Sequence, residues 1–112
     1  MLPLRILFGL VLVFQAVTLW PEVAVPVPSL NDTAVHFLIV QRMSEALAQG
    51  DNVLDHWVPD LELGWPFPLY YQHLPHLAVV LLHRLLLQQV SLLTVFNVVR
   101  YVLLVGFPVT MY

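Results

Sequence analysis

The chain contains no cysteine, which excludes disulfides and thiolate metal sites. It has no lysine either, so its fixed positive charges are Arg5, Arg42, Arg84 and Arg100. Only 10% of its 112 residues are charged, against roughly 25% in soluble domains. A formal net charge of −3 argues against a nucleic-acid partner, which calls for a basic face. There is no Walker loop, no Gly-rich dinucleotide turn, no zincin motif and no nucleophile elbow. What is abundant is apolar: 60% of residues are hydrophobic and the mean hydropathy is +0.84. That is the composition of a membrane protein.

The charges are unevenly placed. All the acids (Glu22, Asp32, Glu45, Asp51, Asp55, Asp60 and Glu62) fall between the first and second hydrophobic runs, with Arg42 as the one arginine among them. An acidic middle therefore separates two apolar arms. Residues 1–20 are long enough for a first span, since roughly 20 apolar residues cross a bilayer. Trp20 and Pro21 close it as an interfacial anchor and a helix stop. A cleaved signal peptide is the rival reading, although no small-x-small cleavage site follows the apolar core. A second span is expected over 70–87 and a third over 92–112, the last running to Tyr112 without a polar flank. The sequence thus reads as all-α, a set of polytopic transmembrane helices forming the N-terminal piece of a larger protein. Arg5 before the first run and Arg84 near the end of the second put the N-terminus in the cytoplasm and residues 21–69 outside. Arg100 lies about 12 Å into the third run at 1.5 Å per residue. It either snorkels to the inner surface or marks a span that starts later.

The outer segment opens with "WPEVAVPVPSL", where prolines 21, 26 and 28 hold the backbone extended. Asn31 or Asp32 is a plausible N-cap. Val35, Leu38, Ile39, Met43, Ala46 and Leu47 then recur at three- and four-residue steps, predicting an amphipathic helix over about 32–49 that Gly50 ends. Next to a span, such a helix is expected to lie along the membrane surface. Trp57, Trp65, Tyr70 and Tyr71 suit the headgroup layer.

Asp32 and His36 share one helix face. Their functional reading is an outer-leaflet carboxylate that takes a proton or binds a divalent cation, with a histidine beside it; the plain one is a cap and a solvated histidine. "NDT" at Asn31 fits the glycosylation pattern. Asp55, His56, Asp60 and Glu62 are either ligands for Mg or Mn or a solvated loop. His73 and His76 lack a third convergent zinc ligand. "GWPFPLYY" is either an aromatic belt or a wall for a lipid chain or sugar ring.

In order, "NDTAVHFLIVQRMSEALAQGD", Trp57-x-Pro59 and "LGWPFPLYYQHLPHL" resemble the N-terminal region of polytopic GT-C-type membrane glycosyltransferases. The arrangement is most similar to the bacterial and archaeal membrane proteins related to 6-pyruvoyl-tetrahydropterin synthase. The positions that carry it are Asp32, His36, Ala46, Gly50, Asp51, Trp57, Pro59, Gly64, Pro66, Tyr70, Tyr71, Leu74 and Pro75. The resemblance implies an inner-membrane transferase that takes its sugar from a polyprenyl-phosphate-linked donor in the outer leaflet. Asp32 would then be the catalytic base or a ligand for Mg or Mn. His36 would contact phosphate or carboxylate, and Trp57, Tyr70 and Tyr71 would line the pocket. One acid precedes the helix where the family has a pair, and the family's later outer loops and soluble domain are missing from this sequence, which leaves the acceptor open. A rival of another class is a non-enzymatic lipid or polymer export component whose outer loop is a binding surface.

Overall fold

A computed structural model describes residues 2–25, 27, 32–59, 64 and 72–111. Among these residues every regular element is a helix. α1 covers Leu2–Thr18 and α2 covers Pro21–Ala24. Pro21 does not stop the chain's helical course, because a proline in a helix's first turn gives up a donor that has no partner there anyway. Trp20 stays in the right-handed region, and the Ala24 amide donates to the Trp20 carbonyl at 3.1 Å. The apolar run thus extends over Pro3–Ala24.

α3 spans Asp32–Gln49. Gly50 ends it at φ +79°, and the Asp51 amide donates to the Ala46 carbonyl at 2.9 Å. That is the left-handed closure a glycine after a helix provides. Its buried stripe is Ile39, Val40, Met43 and Ala46. The stripe is turned relative to the sequence pattern: Val35 is exposed and Val40 fully buried. The apolar face expected to rest on a membrane surface packs on protein instead, against the two helices that follow.

The first of these, α4, covers Leu74–Leu85 and has 12 residues, about 18 Å at 1.5 Å per residue. A hydrocarbon layer is roughly 30 Å thick, so α4 does not match the span expected over 70–87 (residues 70 and 71 lie outside the described ones). Its end is fixed by Leu87 and Gln88 at φ 51° and 59°, whose amides return to the carbonyls of Arg84 and His83 at 2.9 and 3.1 Å. α5 runs Leu92–Met111. Ser91 caps it, its Oγ accepting the Thr94 amide at 3.1 Å.

Ile39, Val40 and Met43 of α3, Val79 and Val80 of α4, and Val95 and Phe96 of α5 form the core. Phe37 tilts onto Phe96 with centroids 5.4 Å apart. Burying a side chain of this kind contributes roughly 1.5–3 kcal/mol. Outside this core lie α1 and the second half of α5, where Leu10, Phe14, Val17, Val102, Phe107 and Met111 are all exposed. The runs Pro3–Ala24 and Leu92–Thr110 are long and apolar enough to cross a membrane, and none of the first is buried.

Candidate functional site

Where α3, α4 and α5 meet, a cavity of about 290 Å³ opens. His36, Gln72, His76 and Arg100 give it polar walls, and Val79, Phe96, Val99 and Leu103 an apolar one. The helix phases produce this arrangement. His36 stands one turn before Val40 on α3, and His76 one turn before Val80 on α4, so packing the two valines brings the two imidazoles together.

His36 Nδ1 lies 2.9 Å from His76 Nε2. The rings are inclined by 28° with centroids 5.1 Å apart. His76 Nδ1 lies 2.9 Å from the Gln72 carbonyl oxygen, which can only accept, so Nδ1 carries the hydrogen. In neutral His76 the other nitrogen must then accept, and His36 Nδ1–H donates to it. The lone pair of neutral His36 therefore sits on Nε2. His76 is buried, and burial holds its pKa below 6.5; nearby His36 and His73 add to the lowering, and the bond to Gln72 opposes it.

Arg100 adds the third polar wall. Its Nη1 donates to Thr33 Oγ1 at 2.9 Å, and its Nη2 forms an ion pair with Glu22 of α2. Its guanidinium carbon stands 5.9 Å from the Phe96 ring centroid. Its Nε is buried without a hydrogen-bond partner among the described residues. Arg100 is thus held by partners on two other helices. It ties α2, α3 and α5 together, and Tyr101 beside it donates to the Ala16 carbonyl at 2.8 Å.

The sequence-predicted residues fare unevenly. His36 is in the cavity wall. Asp32 is exposed in the first turn of α3 and does not line the cavity. Trp57 is exposed and also stands apart from it, its indole so close over Gly64 that a side chain there would collide with it. Tyr70 and Tyr71, with Asn31, Asp60, Glu62 and Trp65, lie outside the described residues. His56 Nδ1 bonds to the Val53 carbonyl at 3.0 Å, a local loop contact. Among the described residues no three histidine or acidic side chains converge to hold a metal. Sequence reasoning missed the pairing of His36 with His76 and of Arg100 with Glu22. Both join residues far apart in sequence, which spacing does not reveal.

No family model matches the chain, and neither a curated protein nor a solved structure matches it.

Proposed function

We propose that this chain is part of an integral-membrane glycosyltransferase of the GT-C type, drawing its sugar from a polyprenyl-phosphate-linked donor at the outer leaflet of the inner membrane. The observation that carries this reading is the two-sided cavity, with His36, His76 and Arg100 facing Val79, Val99 and Leu103. It suits an amphiphile whose polar head and apolar chain must be held at one boundary. It also adjoins the bare stretch of α5, as Leu103 is itself exposed. In this arrangement α1 with α2, and α5, cross the membrane with the N-terminus in the cytoplasm, and α3 and α4 sit at the outer face. Asp32 supplies the carboxylate that takes the acceptor's proton.

Replacing Asp32 by Asn tests the reading in membranes supplied with a radiolabelled polyprenyl-phosphate sugar. Transfer should be lost while the protein level is unchanged, and undiminished transfer removes Asp32 from the chemistry. One observation favours a second reading: Asp32 lies outside the cavity lining. That suits a non-enzymatic export component that binds a lipid headgroup without reacting with it. Photo-crosslinking of a polyprenyl phosphate to the cavity, without sugar transfer by the unaltered protein, would select it.

A further inference from the structure

α4 has two long sides, and only one of them is packed. His76, Val79, Val80 and His83 form the buried side. Leu74, Ala78, Leu81 and Leu85 recur at three- and four-residue steps on the opposite side, and all four are exposed. Leu74 and Leu85, at 72% and 78%, are as bare as Phe14 and Val17 of α1. Leu86 and Leu87 carry the exposed surface on into the turn before α5. α3 is built differently, since Gln41, Glu45 and Gln49 stand behind its buried stripe. The three-helix core thus has a polar back on α3 and a leucine back on α4, and the leucine back requires an apolar cover.

Its neighbours identify that cover. Val79 and Val80 pack with Val95 and Phe96, in the first half of α5, and the run Leu92–Thr110 is long and apolar enough to cross a membrane. In the crossing proposed above, the first half of that run lies in the outer leaflet, and α4 lies beside it. The bare surface is also continuous: Pro75, next to Leu74, shares a cavity wall with Leu103, on the bare stretch of α5. Charge agrees with a lipid neighbour. No acid follows Glu62 in the sequence. Arg84, on the flank between the two sides of α4, makes no ion pair among the described residues, and helices lying at phosphate headgroups carry cations beside their apolar side. We propose that the leucine side of α4 is immersed in the hydrocarbon of the outer leaflet, while the polar back of α3 faces water. This goes beyond the proposed function and takes from it the crossing by α5. At about 18 Å α4 is too short to cross, but a helix lying within one leaflet needs only an apolar side. The membrane-surface role expected of α3 falls to α4.

The test is spin labelling of the full chain, which has no cysteine of its own. Leu81→Cys and Leu85→Cys on α4, Gln41→Cys and Gln49→Cys on α3, and Phe107→Cys on α5 each carry one nitroxide. All five positions are exposed, so none of the substitutions opens the core. In liposomes of phosphatidylcholine and phosphatidylglycerol, relaxation of each label by oxygen, which concentrates in hydrocarbon, is compared with relaxation by a water-soluble nickel chelate. The oxygen-to-nickel ratio should be severalfold higher at positions 81 and 85 than at 41 and 49. Labels at 81 and 85 that the nickel chelate reaches freely overturn the proposal. So do labels there that neither reagent reaches, which would mean a covering protein, and so does an equally high ratio at 41 and 49. The label at 107 separates this proposal from the crossing on which its depth rests. Position 107 in hydrocarbon with 81 and 85 in water removes the immersion of α4 alone. Position 107 in water with 81 and 85 in hydrocarbon removes the crossing by α5 and leaves α4 on the lipid.

Discussion

The helices α3 and α4 and the helix α1 are made largely of the same aliphatic residues, yet they end in opposite surroundings. Val40 and Val80 are wholly buried, while Phe14 and Val17 are about 70% exposed. Apolar content does not separate them; its distribution around the axis does. α3 carries Gln41, Glu45 and Gln49 opposite its buried stripe, so it can close against protein and leave its back to water. α1 has no such back. It is apolar all round, and a helix of that kind needs an apolar medium or a complete protein sheath. The first region supplies its own apolar surroundings and the second must be given them. α5 belongs to both, with Val95, Phe96 and Asn97 buried near its start and Phe107 and Met111 bare near its end. Arg100 and Tyr101 sit where one regime gives way to the other.

The sharpest way to break this comparison is to cut a large side chain from the packed region. Met43→Ala removes a fully buried side chain at the α3 seam and should destabilise the folded state by about 2–5 kcal/mol in denaturant unfolding. A loss below 1 kcal/mol would mean that the seam is not the protein's core. At the junction, Arg100→Met leaves Glu22 without its partner. Both side chains are partly solvated, which moderates the effect to about 1–3 kcal/mol. The restoring double variant Arg100→Met with Glu22→Gln should recover part of that loss.

Acid should act on the packed region through His76. Burial holds its folded-state pKa below 6.5, so the unfolded chain binds that proton more readily. This contribution to stability is complete above about pH 6.5 and declines as the pH falls through the window toward the lowered value. Unfolding measured at several pH values should show the slope, and His76→Gln should flatten it. The smallest effect is expected in the bare region. Phe14→Ala, at a side chain 69% exposed, should change unfolding by no more than about 0.5 kcal/mol. A change as large as that of Met43→Ala would show that α1 is packed in solution and would erase the distinction between the regions.

Much of the helical layout was legible in the residues. The 32–49 periodicity matches α3, and Gly50 ends it because its φ is positive. The first and third apolar runs match α1 and α5 within a few residues. Pro21 misled because a stop signal and a first-turn proline look alike in one dimension. In the 70–87 run the described helix is shorter than the leucines suggest: they continue beyond Leu85, but left-handed backbone at Leu87 and Gln88 ends the helix, and nothing in those two side chains announces it. The exact phase of the α3 stripe was set by its partners, which no local pattern encodes. The candidate site was legible only in part. His36 stood out by its spacing from Asp32, but the residues that meet it, His76 and Arg100, come from helices begun some forty and fifty-five residues later.

The brevity of α4 has a consequence for sidedness. If α1 and α5 are the two crossings, as proposed, the count is even, and a strand of peptide that enters a bilayer and crosses it twice emerges on the face it left. Arg5 and Met111 then share one compartment, whereas a third crossing by residues 70–87 parts them.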